Sequence, residues 1–276
     1  MEVKITTLSE NTATRGSLAE WGLSLLVEAD GKKILMDTGS GIAATHNADL
    51  MHIDLADTDT IILSHGHRDH TGGLLQILKR TGAREIIAHP DINKSRYVRI
   101  GDMYDDISMP FTEKELVSAG AHFKYSREPV SITEHIITTG EIALLSDFEA
   151  IDENLFIKED GEFKPDDVQD DLALIINTAK GLVVCCGCTH RGLINTLSRA
   201  RQLTGEERIY AVIGGIHLVR AGTERIERTI AELQEWDIKR LYVSHCTGFA
   251  ASARLAQAFG SAFALNNAGT RIVLPA

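Results

Sequence analysis

Four side chains able to bind a transition metal fall within six residues, His65-Gly66-His67-Arg68-Asp69-His70. Neutral imidazole and carboxylate are favoured ligands of zinc, iron and manganese. Burying three imidazoles beside a carboxylate is costly unless a cation binds them. The run follows the apolar stretch 60–64 and precedes Thr71-Gly72-Gly73, where a helix is expected to begin. A strand-to-helix turn frees the ligands from helical spacing and aims alternate side chains at one point. Gly66 leaves room for that turn.

Three other apolar runs end in the same way. Stretch 182–186 leads to Cys188 and His190, 209–213 to His217, and 240–244 to His245. In open α/β sheets the carboxyl ends of the strands form the crevice where ligands bind, so these residues are expected to converge on the first cluster. His46, His52, His89, His122 and His135 lack such a setting and read as structural or surface histidines.

Short apolar runs alternate with helical patterns along the whole chain, as in an α/β fold. Candidate strands are 3–8, 23–28, 33–37, 60–64, 85–88, 142–146, 171–177, 182–186, 209–213 and 240–244, and several are apolar on both faces. Leu74 and Leu78 mark a helix ending near Gly82, and Leu193, Leu197 and Ala200 one ending at Gly205. Ile226, Ile230 and Leu233 mark a third behind an N-cap at Thr223, and Ala251, Leu255 and Ala258 a fourth before Gly260. Each is expected to cover a sheet face.

Two stretches, 91–118 and 152–171, break the pattern and read as irregular insertions. The second holds nine acidic residues, two lysines and a proline, and suits either a solvated loop or a lid over the site. The first suits the opposite wall. Within it, Lys94, Arg96 and Arg99 are candidates to bind a substrate phosphate.

With 276 residues, 43% of them hydrophobic, the chain can bury one large core, and a single domain over 1–276 is expected. A net charge of −11 argues against nucleic acid or an anionic membrane as partner, which leaves a small-molecule substrate. No run approaches the roughly 20 apolar residues of a membrane span. The start Met1-Glu2-Val3-Lys4-Ile5 lacks a signal-peptide pattern, so the cytoplasm is the expected compartment. Cys185, Cys186, Cys188 and Cys246 are too few and too clustered for a disulfide framework. They are expected to be reduced thiols, with Cys185 buried in its strand. A homodimer is compatible with this composition.

His65, His67, Asp69 and His70 match the His-x-His-x-Asp-His signature of the metallo-β-lactamase superfamily, which the sequence resembles. Ile34-Leu35-Met36-Asp37-Thr38-Gly39 is similar to the strand and turn preceding that superfamily's metal loop, and Ser244-His245-Cys246 to its C-terminal strand-end histidine. The resemblance implies a four-layer αββα sandwich holding one or two divalent transition metal ions at one edge, zinc, iron or manganese. It implies that His65 and His67 hold the first metal, that Asp69, His70 and His245 hold the second, and that Asp37 supports the loop without binding metal. The usual hydrolase carries a further His near Thr138-Thr139-Gly140 and a bridging Asp after Gly187. This chain has Thr and Glu at the first place and Cys188 at the second. His190 is therefore expected as the third ligand of the first metal and Cys188 as a bridging or neighbouring thiol. Asp69, His217 and Cys188 are the expected catalytic residues.

More narrowly, Thr139-Gly140-Glu141, Gly187-Cys188-Thr189-His190, Gly214-Gly215-Ile216-His217-Leu218 and His245-Cys246-Thr247-Gly248 resemble a subgroup described as dihydropteroate-synthase-like. The similarity runs from about Gly22 to Arg271. That subgroup includes archaeal enzymes joining a dihydropterin methyl diphosphate to a ribofuranosyl-aminobenzene phosphate. The resemblance implies a synthase-like transferase acting on a small phosphorylated or pterin-type substrate. Two other classes stand beside it: a binuclear-metal hydrolase of a phosphoester, lactone or amide, and a metal-dependent ligand sensor without turnover.

Overall fold

Every residue of the run Gly181–Cys186 is buried, and its alternate residues serve two different cores. Val183 and Cys185 pack between two sheets, whereas Leu182, Val184 and Cys186 pack under helices. A strand turns successive side chains to opposite faces, so a run apolar throughout must be covered on both. The same division recurs at Leu25 and Val27 against Leu26, at Ile34 and Met36 against Leu35, and at Leu174 and Ile176 against Ala173 and Ile175.

The computed structural model describes residues 1–275. Its seven-stranded sheet has the order β17 (Arg271–Pro275), β1 (Glu2–Ser9), β2 (Ser24–Ala29), β3 (Lys32–Met36), β4 (Thr60–Ile62), β5 (Arg84–Ala88), β8 (Ala121–Tyr125). The strands from β17 to β3 pair antiparallel, and those from β3 to β8 pair parallel. A six-stranded sheet runs β16 (Phe263–Leu265), β15 (Arg240–Ser244), β14 (Ile209–Gly215), β13 (Gly181–Cys186), β12 (Ala173–Thr178), β9 (Ile136–Thr138). In it β13 to β16 are parallel, and β12 is antiparallel to both neighbours.

Helices α1 (Ala43–Leu50), α3 (Leu74–Thr81) and α4 (Glu113–Ser118) bring Ala44, Ala48, Leu74, Ile77, Leu78 and Leu116 to the outer face of the first sheet. Helices α5 (Leu193–Thr204), α6 (Thr223–Glu235) and α7 (Phe249–Phe259) bring Leu193, Leu197, Ile226, Ile230, Leu233 and Leu255 to the outer face of the second. The four layers are thus helix, sheet, sheet, helix. Helix α6 starts one step from expectation, since Gly222 stands at the N-cap and Thr223 is the first helical residue.

Each stretch expected to be irregular gives two strands to a third sheet, and the first also holds α4. Its antiparallel order is β11 (Glu162–Pro165), β10 (Leu155–Glu159), β6 (Arg96–Ile100), β7 (Met103–Asp106). Tyr97, Tyr104, Phe156 and Phe163 hold it together, with Tyr104 stacked on Phe163 at 3.8 Å between centroids. These strands are short and only partly buried, and β6 finds β10 across more than fifty residues that include β7, α4, β8 and β9, so local periodicity carries no trace of the pairing. Residues 142–146, expected as a strand, form none. Leu144 and Leu145 are exposed, and α5 claims the backbone instead, with Asn195 Oδ1 accepting from Leu145 N and Ser146 N at 2.9 and 2.7 Å. Among the described residues no helix is long and apolar enough to cross a membrane.

Candidate metal centre

Beyond β4 the chain runs through Leu63 and Ser64 into the His-rich turn and the short helix α2 (Arg68–Thr71). Strand β3 lies parallel to β4, with Met36 beside Ile62, which sets Asp37 next to that turn. Asp37 Oδ1 accepts from Ser64 N at 2.7 Å, and Oδ2 accepts from Ser64 Oγ at 2.7 Å and from His70 Nδ1 at 2.7 Å. One buried carboxylate therefore fixes the loop at both ends. Gly66 is required on the other side, because a Cβ there would sit 2.3 Å from Ile92 O. Its N–H donates to Asp170 Oδ2 at 2.8 Å.

Residues beyond β4, β13 and β15 meet here. The rings of His65, His67 and His190 lie 4.5–4.8 Å apart between centroids, and those of His70 and His245 4.9 Å apart. His65 Nε2 faces His67 Nδ1 at 3.0 Å, and His70 Nε2 faces His245 Nε2 at 3.2 Å and Cys188 Sγ at 3.1 Å. Asp69 Oδ2 lies 3.3 Å from His245 Nε2. The donor atoms of His65, His67 and His190, those of Asp69, His70 and His245, and those of His65, His70 and Cys188 form three groups, each within 4.8 Å.

These contacts fit a divalent cation better than a hydrogen-bond network. His65 and His70 hold an outer nitrogen on Ser64 or Asp37, and His245 on Asn11 Oδ1 at 3.0 Å, while their other nitrogen faces the cluster. That is the setting of a metal-ligating imidazole. His67 Nε2 and both ring nitrogens of His190 are buried without a hydrogen-bond partner among the described residues. Burial pushes His65, His67 and His190 well below the ordinary imidazole range, which keeps their lone pairs available. Burial opposes a charge on His70 as well, but Asp37 and Asp69 outweigh it and raise that ring to about 9, so positive charge is favoured there. Burial and Cys246 push the Cys188 thiol up, and an adjacent cation would favour the thiolate.

A cleft of about 310 Å³ opens over the cluster, with Trp21, Asp152, His217, Arg68 and Arg220 in its walls. Val98, Ile107 and Leu155 show that the third sheet and its flanking turn form one wall. The expected phosphate clamp does not form. Arg96 is 1% exposed and ion-paired to Asp166 and Asp170, Lys94 pairs with Asp91, and Arg99 lies over the Phe156 ring. None of the three lines the cleft. Its guanidinium groups are Arg68, inside the motif itself, and Arg220, three residues after His217. Trp21, 59% exposed, also went unseen, since a lone aromatic before Gly22 carries no periodic signal. His46, His52, His122 and His135 are exposed, and His89 is buried against Glu141 at 2.9 Å. All four cysteines are free and buried, and burial pushes Cys185 up to about 12.

The model of the metallo-beta-lactamase superfamily matches residues 22–185. The chain belongs to the metallo-β-lactamase superfamily. It is 35% identical to the 7,8-dihydropterin-6-methyl-4-(β-D-ribofuranosyl)-aminobenzene-5'-phosphate synthase of Methanocaldococcus jannaschii, over 97% of this chain and 95% of that one. A second, uncharacterized protein of that organism is 33% identical over 91% and 93%. A crystal structure described as a metal-dependent hydrolase of the β-lactamase superfamily superposes with a TM-score of 0.84 at 26% identity, covering 98% of each chain. Superfamily membership implies divalent metal binding, and the donor set described above is chemically suited to it.

Asp37 touches the loop and not the cluster's inner donors, so Asp37→Asn is expected to weaken metal affinity about 10–100-fold. Competitive metal titration measures this. A loss as complete as that of His65→Ala would mean that Asp37 binds metal directly, and an unchanged affinity would remove its supporting role.

Proposed function

We propose that this chain, read as one domain over 1–276, is a synthase-like transferase that joins a small phosphorylated amine to a pterin-type methyl diphosphate. The observation carrying this reading is the 35% identity, over nearly both full lengths, to a relative named as such a synthase. His65, His67 and His190 would hold one divalent ion, and Asp69, His70 and His245 a second, with Cys188 beside both. Such ions, zinc, iron or manganese, supply Lewis acidity that neutralises charge on a phosphate leaving group. The chain's own residues bind and orient the substrates. Arg68 and Arg220 in the cleft walls suit their anionic groups. The amine nitrogen bonds to the methylene carbon, the carbon–oxygen bond to diphosphate breaks, its electron pair leaves with the diphosphate, and the nitrogen sheds a proton. Asp69 lines the cleft as an ionised ligand of the second ion, and the shed proton passes to solvent. Burial opposes its charge, but His70 and His245 hold its carboxyl well below the usual carboxylate range. Four free, buried cysteines support a cytoplasmic setting.

A hydrolase is the second reading, favoured by the structural neighbour described as a metal-dependent hydrolase. Water would then replace the amine. Cys188, at the place where the hydrolase pattern has a bridging Asp, weighs against it. Diphosphate release from a dihydropterin methyl diphosphate, with and without an aminobenzene ribofuranosyl phosphate, separates the two. Transfer predicts release that requires the amine, with a coupled product seen by mass spectrometry. Equal release without amine would establish hydrolysis, and no release from metal-loaded protein would favour a ligand sensor.

A further inference from the structure

His217 lies outside the positions that the superfamily pattern assigns to metal, yet the fold goes to some length to place it. Its φ is +39°, in the left-handed region that side chains rarely adopt. The turn carrying it leaves β14 through two glycines. A Cβ on Gly214 would sit 2.1 Å from Cys186 O, and one on Gly215 2.4 Å from Gly187 O. Only glycines let this turn press against the turn that carries Cys188 and His190. His217 N then donates to Cys246 Sγ at 3.3 Å.

The ring is oriented as the other histidines of the centre are. Its Nε2 donates to Asp152 Oδ2 at 3.1 Å, and its buried Nδ1 has no hydrogen-bond partner among the described residues. The His190 ring lies 4.1 Å away between centroids, and neither of its nitrogens is hydrogen-bonded among the described residues. Cys188 Sγ, one nitrogen of His190 and one of His217 all lie within 4.8 Å of one another. A ligating histidine characteristically gives its other N–H to a carboxylate, as His217 gives one to Asp152.

We propose that Cys188, His190 and His217 form a further metal position on the cleft wall, with Asp152 orienting His217 for it. The position shares Cys188 and His190 with the two described above, so an ion here takes His190 in place of the position at His65 and His67, and it rests on the reading of this cluster as a metal centre. One thiolate and two imidazoles suit a borderline-soft ion such as zinc or cobalt(II), and three protein ligands leave a place open toward the cleft. Asp152 opens the segment that carries β10 and β11, so an occupied position ties the third sheet to the centre.

Cobalt(II) is the probe, titrated into metal-free protein and followed by its near-ultraviolet sulfur-to-cobalt band and its visible bands. His217→Ala is expected to lose more than tenfold in affinity for one ion and to change the visible bands, while other cobalt stays bound. Asp152→Ala leaves every donor in place and guards against misfolding of the first variant. It is expected to weaken that same ion about 10–100-fold. Hydrogen exchange in residues 155–165 should slow on metal addition in the parent and not in Asp152→Ala. Parental affinity and spectra in both variants would overturn this position alone, whereas a parent chain that takes up no cobalt would overturn the whole metal centre.

Discussion

Arg96→Ala is expected to lower stability by about 3–5 kcal/mol, the usual result of removing one partner from a buried ion pair. The guanidinium is 1% exposed, and its two terminal nitrogens lie 2.7 Å from Asp166 Oδ2 and 2.7 Å from Asp170 Oδ1. Without it two buried carboxylates face each other. Burial already pushes the Asp170 carboxyl above its ordinary value, against the pull of Arg96. Because Asp170 also accepts from Gly66 N, the metal loop should loosen with it. Denaturant unfolding checks the prediction as a fall in midpoint at unchanged slope. An unchanged midpoint together with weaker binding of a phosphorylated ligand would return Arg96 to the role of a phosphate clamp.

Removing metal is expected to lower the unfolding free energy by about 4 kcal/mol, the linkage value for an ion held at roughly 1,000 times its Kd. The unfolded chain offers no assembled cluster, so binding free energy becomes folding free energy. The unfolding midpoint should fall on chelation and return when zinc or manganese is restored. A midpoint indifferent to both steps would mean that the rings at the ends of β4, β13 and β15 pack without a cation.

The core was legible where one strand repeats a simple pattern. In Gly181–Cys186 both faces are apolar, and both are covered. The metal loop was legible because its donors sit together in sequence, and the recurring strand ends drew in Cys188, His190, His217 and His245. Contacts between distant segments were not. Arg96 reads as a solvent-facing cation until Asp166 and Asp170 come to it from the segment that follows the edge strand β11. Asn11 and Asp152 orient His245 and His217 from 234 and 65 residues away, and isolated polar residues announce nothing of that kind. The third sheet was missed for the same reason, since β6 and β10 pair across more than fifty residues of chain.

The central claim, that the cluster around His65, His67, Asp69 and His70 holds divalent metal, is tested most directly by elemental analysis of purified protein beside a His67→Ala, Asp69→Ala double variant. The parent should carry one to two equivalents of a transition metal, and the variant, missing a donor from each of two groups, should carry much less. Equal metal content in the two proteins would contradict the account.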